Sequence, residues 1–200
     1  MNEPFNPIAK FRMLDLPALV VGRNFATWRT SNGSRDSVGT EEALRRALNQ
    51  PPVVCHAPSM SRRLGVGSIN GYDVLELFAF VRPAEFTLPT VRGLTRTLGI
   101  NTTEDTDALI NIADRLLGEL AEDREGHKNA APIAHALKQA GWLWAPLVLT
   151  ALDKRGWNDH SDTRLASALA VWRDIPEWNE TPPEPPSKND PVSGDEARNR

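Results

Sequence analysis

Apolar residues first gather in residues 17–22, PALVVG, a short run rich in β-branched side chains that predicts a buried strand. Residues 24–34, NFATWRTSNGS, alternate and then meet Asn32-Gly33. Asn-Gly is a strong two-residue hairpin signal, because both turn positions need positive φ. A third strand is expected over Ser34 to Val38. Thr40 is expected to cap a helix with Glu41 and Glu42 in its first turn, where negative charge suits the helix dipole. Its stripe would be Ala43, Leu44, Ala47 and Leu48, and Pro51-Pro52 would stop it. VVCH (residues 53–56) reads as the next buried strand, followed by a short helix, SMSRRLG, closed by Gly65. Val74, Leu75, Phe78 and Val81 recur at helical spacing up to Pro83. Thr90 caps a helix that Gly99 stops. Thr102 or Thr103 caps a long one with Leu109, Ile112, Ala113, Leu116, Leu117 and Leu120 on a single broad face.

After Glu122 the texture turns polar and then helical. The pattern predicts Pro132 to Ala140, Pro146 to Leu152 and Thr163 to Trp172, with both prolines at a first helical position. Trp142, Trp144, Trp157 and Trp172 fall in this part, with Trp178 just beyond. They read as packing anchors, and Trp142 and Trp144 as the ones that dock these helices on the sheet. The tail, ETPPEPPSKNDPVSGDEARNR, is rich in proline and charge and reads as an extended linker.

Three strands, a helix, a strand and a helix predict an α/β fold, a ribonuclease-H-like mixed sheet with flanking helices, plus an all-helical C-terminal extension. The expected division is 1–122 for the sheet domain, 123–180 for the helical extension and 181–200 for the linker. A linker leads somewhere, so the chain is expected to be an N-terminal piece of something longer.

Composition bounds the chemistry. The formal charge of −3 is uneven: residues 1–100 hold 12 Lys and Arg against 8 Asp and Glu, residues 101–200 hold 11 against 18. Neither half announces nucleic acid by charge alone. One cysteine, Cys55, allows no internal disulfide and fits a reducing, cytoplasmic setting. No apolar run approaches the ~20 residues of a membrane span, and the N-terminus does not read as a signal peptide.

A nuclease of this architecture holds two Mg²⁺ ions about 4 Å apart with converging carboxylates. The first pair belongs at the end of the first strand, where this chain has Gly22, Arg23 and Asn24. The next belongs at the helix after the VVCH strand, where it has Ser59 and Met60, then Arg62 and Arg63, whose charge would repel a metal. Gly22, Asn24, Ser59 and Met60 are therefore read as vacated metal-site positions. His56 could be a base or a nucleic-acid contact. The favoured reading is a strand-ending histidine bonded to nearby backbone. Cys55 reads as a small buried hydrophobe. Asp73 and Glu76, three apart, and residues 104–107, EDTD, are read as first-turn charge rather than a metal site. His127, His135 and His160 lack zinc spacing. No Walker A or G-x-S-x-G motif occurs. Arg62, Arg63, Arg92 and Arg96 are the candidate phosphate contacts, set against the plainer reading of solvated helix faces.

Residues 51–100 as a unit carry a resemblance. His56, the stretch Tyr72-Asp73-Val74-Leu75, and Leu94 with Leu98-Gly99-Ile100 keep the frame of a DnaQ-like (DEDD) 3′–5′ exonuclease. Asp107 and Asp114 are loose candidates for that family's last motif, and its other carboxylates are missing. A wider resemblance rests on DVLELFAFVRPAEFTLPTVRGLTRTLGI, QAGWLWAPLVLTAL and VWRDIPEWNETPPEPPSKNDPVSGDEAR. These are similar to the N-terminal region of bacterial DinG-like, XPD-related, ATP-dependent DNA helicases. The resemblance implies a noncatalytic accessory head of a DNA-repair helicase. It positions the motor on DNA or contacts a protein partner, needs no cofactor in this segment, and leaves ATP and Mg²⁺ to the motor in cis. The alternatives are a divergent metal-dependent exonuclease using Asp73, Asp105, Asp107 or Asp114, and a pure protein-interaction module.

Overall fold

The computed structural model describes residues 16–122 and 130–153. The expectations for Thr163–Trp172, for Trp157, Trp172 and Trp178, for His127 and His160, and for the 181–200 linker lie outside them. Three strands come first among the described residues: β1 (Ala18–Val21), β2 (Ala26–Arg29) and β3 (Arg35–Val38). Helix α1 (Thr40–Asn49) leads to β4 (Val53–Val54), α2 (Ala57–Arg63) and β5 (Tyr72–Asp73). Then come α3 (Val74–Val81), α4 (Val91–Leu98), α5 (Asp105–Glu122), α6 (Ala130–Gln139) and α7 (Ala145–Asp153). The five strands form one mixed sheet in the order β3-β2-β1-β4-β5. The first three run as an antiparallel meander, and β4 and β5 run parallel to β1. The molecule is thus α/β, with helices on both faces of the sheet.

Side-chain alternation along β1 explains the two faces. Leu19 and Val21 pack with Trp28, Ala43, Ala47 and Met60, beneath α1 and α2. Ala18 packs on the other side with Leu77, Leu94, Ile112 and Leu116 of the α3–α5 layer. The six stripe residues expected on α5 are all fully buried. The described part of the C-terminal helical segment shares this second core: Ala134, Trp144 and Val148 belong to the same cluster as Leu77 and Ile112. Trp144 is its largest fully buried side chain.

Several local expectations need correction. Asn32-Gly33 does not form a two-residue turn. Thr30 N–H donates to Ser34 O and Gly33 N–H to Thr30 O, enclosing a three-residue turn. Only Gly33 is left-handed, at φ 91°; Asn32 instead uses its side-chain oxygen to accept from Ser34 N–H. An Asx contact and one glycine suffice for this longer turn. Thr40 is the first residue of α1, not its cap; Gly39 holds that place without a side-chain bond. Leu48 faces water, 70% exposed, because the helix meets the sheet through Ala43 and Ala47. Strand β5 is an addition: Tyr72 and Asp73 pair with Val53 and Val54 before the helix begins. Helix α5 starts at Asp105 rather than beside Thr102 or Thr103. Pro132 and Pro146 sit third and second in α6 and α7. Both stay within the first turn, whose N–H groups have no intrahelical acceptor, so neither breaks its helix.

Candidate functional site: the rim where β1, β4 and β5 end

The chain leaves β1 by a four-residue turn in which Gly22 N–H donates to Phe25 O at 2.9 Å. A Cβ on Gly22 would stand 3.1 Å from that carbonyl, so the tight return favours glycine. Arg23 and Asn24 at its tip are exposed. After β4, His56 caps α2 in a left-handed conformation, φ 62° and ψ 70°. Such a backbone costs a non-glycine residue about 1–2 kcal/mol, so something must hold it.

Asp73, at the end of β5, does so. Its Oδ1 accepts from the backbone N–H of His56 at 2.9 Å and of Leu75 at 3.0 Å. Its Oδ2 accepts from Ala57 N–H at 2.6 Å. The carboxylate thereby caps α3 and fastens the β4–α2 junction to the β5–α3 junction. It is 3% exposed and accepts three backbone donors. The Asp73 carbonyl in turn accepts from the Trp144 indole at 2.8 Å, and Trp144 meets the Tyr72 ring edge-on at 5.1 Å. Trp142 donates to Glu76 at 2.9 Å. Partial burial pushes the Glu76 carboxyl up, the Trp142 bond pulls it down in part, and the Asp73 charge adds to the rise. These contacts dock α6 and α7 on the sheet domain through Trp142 and Trp144.

The four positions expected to be vacated metal sites do not fit a divalent cation. Gly22 offers no side chain, and Asn24 stands at a turn tip. Met60 is turned into the core, and Ser59 sits half-buried on α2. A hard cation needs several oxygen ligands with negative charge. Among the described residues no group of three or more His, Cys, Asp or Glu could hold a metal ion. Asp107 lies between Arg29 Nε, at 2.8 Å, and Arg35, on the outer strands. Cys55 is buried; burial first, then the charges of Asp73 and Asp105, push its thiol up to about 12. A thiolate nucleophile is therefore not on offer at neutral pH.

The arginines divide sharply. Arg29, Arg35, Arg45, Arg46, Arg82 and Arg115 each pair with a carboxylate. Arg23, Arg62, Arg63, Arg92 and Arg96 pair with none among the described residues, and all five are exposed. Arg92 and Arg96 stand one turn apart on α4, in the layer of the α3–α5 core. Arg62 and Arg63 end α2 on the opposite face. The Arg63 guanidinium donates to the Val21 carbonyl, the last residue of β1. His56 and the α2 arginines therefore share the rim, and the α4 pair lies away from it across the sheet. Two residues on the rim go beyond the sequence expectations: the pattern places Arg23 only among the metal-site positions, and it places Phe25, 55% exposed, in a strand. An aromatic beside a glycine-bearing turn was the available signal. Comparison with models of known protein families, with curated proteins and with solved structures gives no match.

Proposed function

We propose that this chain is a ribonuclease-H-like domain without nuclease chemistry, the accessory head of an ATP-dependent DNA helicase of the DinG-like kind. It holds the motor on DNA in the cytoplasm, and the motor in cis binds ATP and Mg²⁺. The fold part is supported by the strand order, an antiparallel β1–β3 meander extended by parallel β4 and β5. The helicase part is supported by the sequence resemblance over residues 73–100, 139–152 and 171–198. One observation carries the noncatalytic reading: a guanidinium, that of Arg63, is bonded to the end of β1, where a nuclease of this architecture keeps metal-binding acids. A fixed positive charge there opposes Mg²⁺ and favours phosphate.

The test incubates the chain with end-labelled single-stranded DNA and Mg²⁺ or Mn²⁺. The expected result is intact DNA, with binding that persists in EDTA. Shortening that follows the protein through purification and stops in EDTA refutes the reading.

A further inference from the structure

The five arginines without carboxylate partners among the described residues fall into two groups: Arg92 and Arg96 on α4, whose preceding loop carries the exposed Phe86, and Arg23, Arg62 and Arg63 on the rim with the exposed Phe25, where Arg63 also reaches the end of β1. Arg23 and Phe25 belong to the same four-residue turn. Arg63 reaches Val21, the strand residue just before this turn, and Arg62 precedes it on α2. Phe25 is more than half exposed, although its neighbours Val21 and Ala26 are fully buried. An apolar ring kept in water, on a rim shared with guanidinium groups that have no carboxylate partner among the described residues, is the composition of a single-strand grip. Guanidinium groups take backbone phosphates, and the ring stacks on a base.

We propose that the β1–β2 turn and the end of α2 form a metal-independent site for single-stranded nucleic acid. Arg23, Arg62 and Arg63 contact phosphate, and Phe25 stacks on one base. This rests on the DNA-holding reading above and gives it a location. The ring separates this ligand from an acidic peptide, which would use the same charges but gain little from a flat exposed face. Each arginine releases counterions from the strand, at about 0.7 in the log–log salt slope per phosphate. Three of them imply a slope of about −2, so affinity falls about 16-fold from roughly 50 to 200 mM salt.

The experiment is fluorescence anisotropy of the 200-residue chain with a labelled oligothymidine, in EDTA, across that salt range. Phe25→Ala is expected to weaken binding about tenfold and Phe25→Trp to retain it. Arg23→Gln and Arg63→Gln are each expected to flatten the slope by about 0.7. Arg115→Gln, at an arginine already bonded to Glu119, should change neither, and thermal melts report that every variant is folded. If the chain binds the oligonucleotide but Phe25→Ala and the two arginine variants bind like the parent, this site is wrong and the accessory-head reading stands. If the chain shows no salt-dependent binding at all, both fail. If polyglutamate competes fully and Phe25→Ala has no effect, the surface is a protein-docking site and the proposal is overturned.

Discussion

Replacing Asp73 by asparagine keeps the size of the side chain and removes its charge. The two oxygens of Asp73 serve different donors. Oδ1 takes His56 and Leu75, and Oδ2 takes Ala57. The amide can keep an oxygen at the first position only by turning its NH₂ toward Ala57 N–H, donor against donor. One charge-assisted bond is then lost and a backbone donor is left without a partner, a cost of about 1.5–3 kcal/mol. The two surviving bonds also become neutral and weaken. A total near 3 kcal/mol is expected, or a fall in melting temperature of about 6–12 °C for a chain of this size. Alanine removes all three bonds, the α3 cap among them, for about 4 kcal/mol, part of the loss being offset as His56 relaxes out of its left-handed geometry. His56→Gly, which needs no such restraint, should gain about 1 kcal/mol. Thermal and urea unfolding followed by circular dichroism measure all three. An Asp73→Asn variant that melts within about 1 °C of the parent refutes the claim that this carboxylate fastens the two strand–helix junctions. A parent melting temperature that rises with Mg²⁺, and does so only when Asp73 is intact, would instead make it a metal ligand.

Gly93→Ala should destabilise by about 1–3 kcal/mol in urea titration, since a Cβ there would lie 2.4 Å from Leu88 O. Gly118→Ala meets nothing within 4 Å inside α5 and should stabilise by about 0.5–1 kcal/mol. Cys55 should resist a thiol reagent at pH 8 in the native state and react once urea unfolds the chain, because burial holds its thiol near 12. The Glu76 carboxyl is pushed above its ordinary value, so the fold binds its proton more tightly than the unfolded chain does. Its contribution is complete below the ordinary carboxylate pKa and is lost as pH rises through the raised one. Glu76→Gln should therefore unfold at higher urea than the parent at pH 7 and at about the same urea at pH 4. A lower midpoint at pH 7 would show that the ionised Trp142 contact outweighs the burial.

Elements fixed by local periodicity were legible in the chain. The β1 run, the α5 stripe, the Thr90 cap and the Gly99 stop depend on neighbours a few residues apart, and all four stand as expected, while in the α3 stripe Leu77 takes the fully buried place expected of Leu75. Strand β5 was hidden because Tyr72 and Asp73 run without a break into an apolar helix, and two residues are too few to show a period. Asp73 could be read as first-turn charge, but its donors at His56 and Ala57 lie 17 and 16 residues away. The arginines show the same limit. Arg29 and Arg35 are neutralised by Asp107, 78 and 72 residues along the chain, and nothing near them in sequence announces it. The distinction between paired and unpaired guanidinium groups, which selects Arg23 and Arg63 over Arg29, is made by tertiary packing alone.

The two outer strands have a bearing on how this domain can meet others. β3 turns Arg35, Asp36 and Ser37 to solvent, and its charges are engaged with α5 and α1 through Asp107 and Arg46. β5 is two residues long and passes at once into a helix. One border is thus lined with ions and the other is too brief to template a neighbour, so strand addition from a second polypeptide finds no purchase at either. Association falls to turns and helix faces, and a ligand that threads as an extended peptide along the sheet is the wrong shape for this surface.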